Sequence, residues 1–519
     1  MKRSFVCAFG ALSLCVVAAC GDEPAPRPNI VFVVWDTVRA DHTSLYGYAR
    51  KTTPFLDEFA KNARVYDDCI SAGSWTVPSH ASMFTGLLPG EHGAQHGHEY
   101  LDDGFVTLAE RLRDSGYQTF AWAANPHVSS EENFLQGFEV EQHPWDEASL
   151  ERAIAIFKAK LPDSTATNEM RERADKRGES RWVVKAAGEL GREGFLAWEA
   201  QRDKSRPFFA FFNYMEAHRP LIPPRKFREQ LLTPAQVEAT YATEFTWPET
   251  WAYCFGVHEY EHGELDVLRD VYDAALLELD ALFAELVRSL EERGLADNTV
   301  IVLIADHGVH LGDGHLIDHQ YSVAQALVHV PLGVRYPAKF APGRETRPVM
   351  NVDVFPTLLE LAQTDAPKLG VGAARSLLDP KERRPRLTDY SKPFPRVLES
   401  MRKSYPERDI ARFERGAWSL VDRPWKLVQE PGGPSHLYDL AGDPHEERDV
   451  AAEQPAVVQR MKQGLDSLLG SVQPFSDGKP VPRSKEHEQR LGATGYADGT
   501  VKPKPTDGAP KEAPPRDER

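Results

Sequence analysis

The chain has 519 residues, of which 41% are hydrophobic and 27% charged, a globular composition and not a disordered one. Its 61 Lys and Arg stand against 78 Asp and Glu, a net charge of −17, which argues against the basic face that nucleic-acid binding needs. No internal run approaches the roughly 18 apolar residues of a membrane-spanning helix.

The first elements are a leader and a tether. Lys2 and Arg3 precede an apolar stretch that ends in Val17-Ala18-Ala19-Cys20, the layout of an export signal closed by a bacterial lipobox. Residues 1–19 are therefore expected to be removed, Cys20 to carry a lipid, and the chain to sit in the cell envelope. Residues 20–28 read as a short Pro-rich tether. Only Cys69 and Cys254 lie beyond the leader, enough for one disulfide but not for a disulfide framework.

From residue 29 strands and helices alternate. Asn29 to Trp35 is an apolar, β-branched run, read as a buried parallel strand. Thr53-Pro54 offers an N-cap and a first-turn proline for a helix to about Ala63. A helix over 107–115 ends at Gly116, and strands follow at 118–123 and 208–214. The spacing of Leu265, Leu268, Tyr272, Leu276, Leu279, Phe283 and Leu286 predicts a long amphipathic helix over 264–293. Strands at 299–305 and 328–334 and a helix at 352–363 complete the pattern. The fold class is α/β, a mainly parallel sheet between helices. After about residue 385 two short strands around a Gly-Pro turn and a helix over 454–469 predict a small C-terminal α+β subdomain. The divisions are thus 29–384, 385–472 and a Pro- and Lys-rich tail, 473–519, expected to be disordered.

In such a sheet ligands bind at the carboxyl ends of the strands. That rule selects Asp36, directly after the first strand, and Asp306-His307-Gly308, directly after the strand at 299–305. Two carboxylates and an imidazole suit Ca²⁺, Mn²⁺, Mg²⁺ or Zn²⁺. The segment from Ser74 to Gly86 reads as a helix with Thr76 at its N-cap, Pro78 in its first turn and Gly86 at its end. Thr76 then sits where unpaired backbone N–H groups favour an anion, and His80 lies one turn on. The three histidines His92, His96 and His98 are read as structural and not as a second metal site.

Taken in order, NIVFVVWDTVRADHTSLYGY, WTVPSHASMFTGLLPGEHG, FFNYMEAHRP, ADHG, HVPLGV, VDVFPTLLELA and the closing WKLV and LYDLAGDPHEERDVA resemble the sulfatase family of the alkaline-phosphatase superfamily. They resemble its bacterial phosphonate and phosphate ester hydrolases too. The resemblance implies one divalent metal, Ca²⁺ by family, held by Asp36, Asp306 and His307, with Thr37 where many sulfatases place a second Asp. It places Thr76 at the nucleophile, His218 at the ester group, His319 near the leaving oxygen, and Asn125 and His127 where many sulfatases have Lys-x-His.

Two departures bear on the chemistry. Sulfatases make a formylglycine from Cys or Ser within Cys-x-Pro-x-Arg, whereas this chain has Thr-x-Pro-x-His, from Thr76 to His80. Oxidising a Thr would give a ketone, so formylglycine is not expected here. A sulfated Thr could not expel sulfate by elimination, but a phosphorylated Thr can be hydrolysed by in-line attack. The reading is a hydrolase of sulfuric or phosphoric (phosphonic) esters that favours phosphorus, acting on a small-molecule, glycan or lipid substrate. His218, His319 and His80 are expected to supply charge and protons. The alternatives are a headgroup phosphotransferase acting on a glycan and a catalytically silent anion- or glycan-binding protein. Residues 162–206 and 225–262 read as inserted segments, the second with Trp247 and Trp251 placed to wall a pocket.

Overall fold

The computed structural model describes residues 27–161, 187–261, 263–365, 367, 374–379, 384–391, 393–472, 475 and 482–493. The leader, Cys20 and most of the tether lie outside these residues, as does much of the 162–206 insertion.

The strands of the main sheet are β1 (Asn29–Trp35), β2 (Arg64–Ile70), β3 (Gln118–Ala123), β4 (Val140–Gln142), β5 (Phe208–Tyr214), β6 (Thr299–Ala305), β7 (His329–Arg335) and β8 (Gly343–Glu345), with β9 (Val349–Met350) beside β2. Their order is β8-β2-β7-β6-β1-β5-β3-β4. All neighbours are parallel except β7, which runs antiparallel to both β6 and β2. The apolar runs at β1, β5 and β6 fall in the middle of the sheet, where helices cover both faces and every residue is buried.

The long helix Glu264–Glu292 lays Leu268, Tyr272, Leu276, Leu279, Phe283 and Leu286 into the main core. It also caps a neighbour. The helix Pro54–Phe59 follows Thr53, but the Thr53 hydroxyl is turned to Ser44. Asp280 of the long helix instead accepts the amides of Phe55 and Leu56 at 2.6 and 2.8 Å, satisfying two first-turn donors from across the core.

Past residue 385 the chain forms a four-stranded antiparallel sheet, β10 (Arg386–Tyr390), β11 (Ala417–Asp422), β12 (Trp425–Gln429) and β13 (Ser435–Asp439), in that order. Composition identified two of these strands. The helix Pro455–Ser471 packs Met461 and Leu465 on Leu420, Leu427 and Leu437, and the same cluster reaches Ala72, Leu88 and Met350 of the main domain. Cys69 and Cys254 are buried and unpaired, so no disulfide joins them. Within the segment expected to be a disordered tail, Lys485–Ala493 is a helix that buries His487 and Leu491. The composition of 473–519 is polar overall, but a single buried face on one short helix does not register in an average.

Candidate active site

β1 and β6 are adjacent and in register, Trp35 beside Ala305, so the residues that follow them emerge together at the carboxyl edge of the sheet. Ligand atoms of Asp36, Asp306 and His307 there lie within 4.8 Å of one another, and all three residues are fully buried. Among the described residues no other group of three His, Cys, Asp or Glu side chains converges in this way. Asp306 Oδ1 accepts the amides of His307 at 2.8 Å and Thr37 at 3.2 Å. Its Oδ2 is buried without a hydrogen bond. Burial, with the Asp36 carboxylate beside it, pushes Asp306 well above the usual carboxylate range. His307 donates Nδ1–H to the Gly308 carbonyl at 2.8 Å, which leaves Nε2 as the lone-pair nitrogen, and burial keeps the ring neutral. Two buried carboxylates, one with an oxygen that lacks a donor among the described residues, and an imidazole with Nδ1 tied to a carbonyl fit a divalent cation.

The loop after β1 is held hard. Thr37 has φ +62°, a costly conformation for a β-branched residue. The Tyr272 hydroxyl donates to the Thr37 carbonyl at 2.8 Å, and the Arg39 guanidinium clamps Asp41 and Asp313 at 2.7 Å each. The Thr37 hydroxyl donates to the Asp36 carbonyl at 2.6 Å, so Thr37 contributes its strained backbone and amide to the cluster and its side chain is turned to the loop itself. Gly308 is equally constrained, because a Cβ there would meet the Ala326 carbonyl oxygen at 2.0 Å. Gly308→Ala is therefore expected to displace the carbonyl that fixes His307 and to lower metal affinity roughly 10- to 100-fold in a titration followed by elemental analysis.

Thr76 is the first residue of the helix Thr76–Thr85, with Trp75 and not Thr76 at the N-cap; Gly86 ends it at φ +72°. The shift by one residue keeps Thr76 at the amino end, where the helix dipole favours negative charge. Its Oγ1 lies 3.3 Å from His307 Nε2 and 3.3 Å from Asn125 Nδ2. Asn125 Nδ2 also donates to Asp36 Oδ2 at 2.8 Å, so one amide ties the hydroxyl to the metal cluster. Asn213 supports both: its Nδ2 donates to Asp36 Oδ2 at 3.2 Å and its Oδ1 accepts the Asn125 amide at 2.9 Å. Asn213 was not anticipated. Its signal is a polar residue near the carboxyl end of an otherwise apolar buried strand, FFAFFNY.

Burial disfavours charge on His80. Its Nδ1 faces the Thr76 carbonyl at 3.0 Å and Asp306 Oδ2 at 3.5 Å, and burial pulls its pKa down to about 3. It packs edge-on against Phe84 and Phe211 as a neutral ring behind the metal cluster. His218, His319 and His307 form a run of imidazoles, with ring centres 5.4 Å apart for the first pair and 4.7 Å for the second. His218 donates Nδ1–H to the Arg219 carbonyl at 2.7 Å. His319 sits between Asp318 Oδ1, 3.1 Å from Nε2, and the Gln320 side chain, 3.3 Å from Nδ1, with its pKa pulled down to about 4 by burial. Arg219 also reaches Asp318, and its guanidinium lies over Trp247 at 4.0 Å, so the second insertion does stand beside the site. Among the three other histidines, His92 bonds Ser82, His98 bonds Asp102 and His96 stacks on Trp75 at 3.8 Å.

The family model described as Sulfatase matches residues 28–364. The chain belongs to the sulfatase family. It is similar to arylsulfatase K of Xenopus laevis, 24% identical over 472 residues that cover 86% of this chain and 83% of that protein. It is similar to an N-acetylglucosamine-6-O-sulfatase of Bacteroides thetaiotaomicron, 23% identical, with 91% of each chain covered. Among solved structures it shares its fold with the phosphonate monoester hydrolase of Agrobacterium radiobacter, at a TM-score of 0.64 and 20% identity, covering 86% of this chain and 96% of that one. In this sulfatase-family hydrolase a cavity of about 220 Å³ lies beside Trp75 and His127, the neighbours of Thr76 and Asn125, and is also lined by His96, Glu99, Arg396 and Arg483 among others. Arg396 and Arg483 come from outside the stretch matched by the family model, and nothing in the sequence motifs pointed to them.

Proposed function

We propose that this hydrolase acts on phosphorus esters in preference to sulfate esters, with unmodified Thr76 as its nucleophile. The observation that carries the reading is the Thr76 hydroxyl at a helix amino end, bracketed by Asn125 Nδ2 and His307 Nε2. Asp36, Asp306 and His307 would hold one divalent cation, Ca²⁺ by family and Mn²⁺, Zn²⁺ or Mg²⁺ by donor chemistry. When bound, it supplies positive charge that polarises a phosphoryl oxygen and lowers the pKa of a nearby hydroxyl. Asn125 orients Oγ1. Attack forms the Oγ1–P bond and breaks the ester P–O bond; the Thr76 proton passes to His218 Nε2, which then gives it to the departing oxygen. His218, with Nδ1 bonded to a carbonyl, exchanges protons at Nε2. Water then attacks phosphorus, breaks the Oγ1–P bond and restores the hydroxyl.

The relatives named as sulfatases and the structural neighbour named as a phosphonate monoester hydrolase bracket the two ester classes. The choice between them rests on the nucleophile, because a Thr lacks the aldehyde hydrate that releases sulfate. Side-by-side kinetics on 4-nitrophenyl phosphate, a 4-nitrophenyl phosphonate and 4-nitrophenyl sulfate test it. The expected result is a kcat/KM at least about tenfold higher for a phosphorus ester, a barrier difference of about 1.4 kcal/mol. A clear preference for sulfate would overturn the reading. The natural substrate is read as a glycan, lipid or small-molecule ester met in the cell envelope, with the chain anchored by a lipid on Cys20. Wild type is then expected to partition into detergent and Cys20→Ala into the aqueous phase; equal partitioning would remove the anchor.

A further inference from the structure

Glu132 is 1% exposed, and three cationic or titratable side chains converge on it. His127 Nδ1 lies 2.5 Å from its Oε2. On the other oxygen, Arg483 lies at 2.7 Å and His487 Nε2 at 3.0 Å. Arg483 and His487 belong to the segment 482–493, about 350 residues further along the chain and outside the stretch matched by the family model. The segment is fastened further by Ser484 and Arg490 on Glu131, at 2.7 and 2.5 Å, and by Arg483 on Glu99 at 3.1 Å. On the near side, the His127 amide donates to Asn125 Oδ1 at 3.0 Å, and Asn125 Nδ2 reaches Thr76 Oγ1. A continuous chain of contacts therefore runs from the C-terminal segment through Glu132, His127 and Asn125 to the Thr76 hydroxyl.

We propose that Glu132 is a positioning residue for the reaction at Thr76, fixing His127 with its proton on Nδ1 and holding the Asn125 turn, and that the C-terminal segment completes the active site by holding Glu132 through Arg483 and His487. The inference rests on Thr76 as the reacting group. The carboxylate is the element that matters. It is an acceptor shared by two imidazoles and a guanidinium, so as an anion it ties all three, and as a neutral acid it loosens them. Burial raises Glu132 to about 7, against the opposing pull of His487 and Arg483. The groups facing it are His127, His487, Arg483 and Glu99; those facing His127 are Glu132, Glu99, His96, Arg483 and Arg396. Wild-type kcat is thus expected to rise with pH through about 7 as Glu132 ionises.

The test compares wild type with Glu132→Gln, which keeps the shape and removes the charge, and with Arg483→Met and His487→Leu. Each is assayed on 4-nitrophenyl phosphate with the metal content measured. Glu132→Gln is expected to lower kcat roughly 10- to 100-fold with KM within about threefold, to lose the limb near pH 7, and to leave metal content unchanged. Arg483→Met and His487→Leu are expected to lower kcat in the same way, with losses that do not add to that of Glu132→Gln. Glu486→Ala, exposed on the same helix, is expected to match wild type. Hydrogen exchange of residues 125–128 and 483–491, measured without substrate, is expected to rise in Glu132→Gln. A wild-type protein that turns over no ester would reject the proposed function. Wild-type turnover with a Glu132→Gln profile identical in kcat and pH dependence, or unchanged exchange in both segments, would overturn the positioning role.

Discussion

Thr76→Ala is expected to lower kcat by on the order of 10⁴-fold or more while the protein keeps its metal. In the proposed reaction the hydroxyl oxygen is the atom that would receive the phosphoryl group, so its loss would remove a covalent route and not merely a contact. The metal is retained because the converging ligand atoms belong to Asp36, Asp306 and His307. Thr76→Ser keeps the hydroxyl and loses one buried methyl, so it is expected to stay within about 10- to 100-fold of wild type. Thr76→Cys is not expected to yield a strong sulfatase, because His80 occupies the place of the Arg in the recognition sequence for formylglycine. Steady-state kinetics with elemental analysis on each variant check all three. Wild-type turnover by Thr76→Ala would remove Thr76 from the mechanism.

Asp306→Asn is expected to be as damaging by a different route. Asp36 and Asp306 are buried side by side; burial first, and the Asp36 carboxylate second, raise Asp306, and a divalent cation would offset both. Removing one of the two charges is expected to lower bound metal to a small fraction of one ion per chain and to abolish turnover with it. The same change has the opposite effect on the chelated protein. Without a cation Asp306 must either stay charged beside Asp36 or take up a proton, both at a cost, so chelated Asp306→Asn is expected to melt above chelated wild type by roughly 1 °C for each kcal/mol of that cost removed. With metal restored the order reverses. Thermal melts of both proteins, with and without chelator, read both halves of this expectation; a variant that binds one full ion would contradict it.

The central strands were legible because they are buried on both faces and so read as unbroken apolar runs, with Asn29–Trp35, Phe208–Tyr214 and Thr299–Ala305 matching to the residue. The strand-end rule then placed Asp36 and Asp306 together before any geometry was known. β2 escaped because Arg64, Asp67 and Asp68 interrupt its apolar pattern; Asp68 is instead spoken for by Arg386 and Arg423 of the C-terminal sheet, at 2.7 and 2.9 Å. A pairing between residues more than 300 positions apart leaves no local pattern to read. The same reason hid Glu132 and Arg483. His80 differs for another reason: its position in the motif suggests a cation, but burial beside Phe84 and Phe211 disfavours the charged ring, which the motif alone does not show.

The most direct test of Thr76 as an unmodified nucleophile is to trap the group it carries. Metal-loaded enzyme is mixed with excess 4-nitrophenyl phosphate, quenched in acid within the first turnovers, digested, and the peptide containing Thr76 is weighed. This peptide is expected to have its unmodified mass before substrate is added and to gain one phosphoryl group, placed on Thr76 by fragmentation, after the quench. An oxidised Thr76 in the resting enzyme, or a phosphoryl group found on a different side chain, would contradict this.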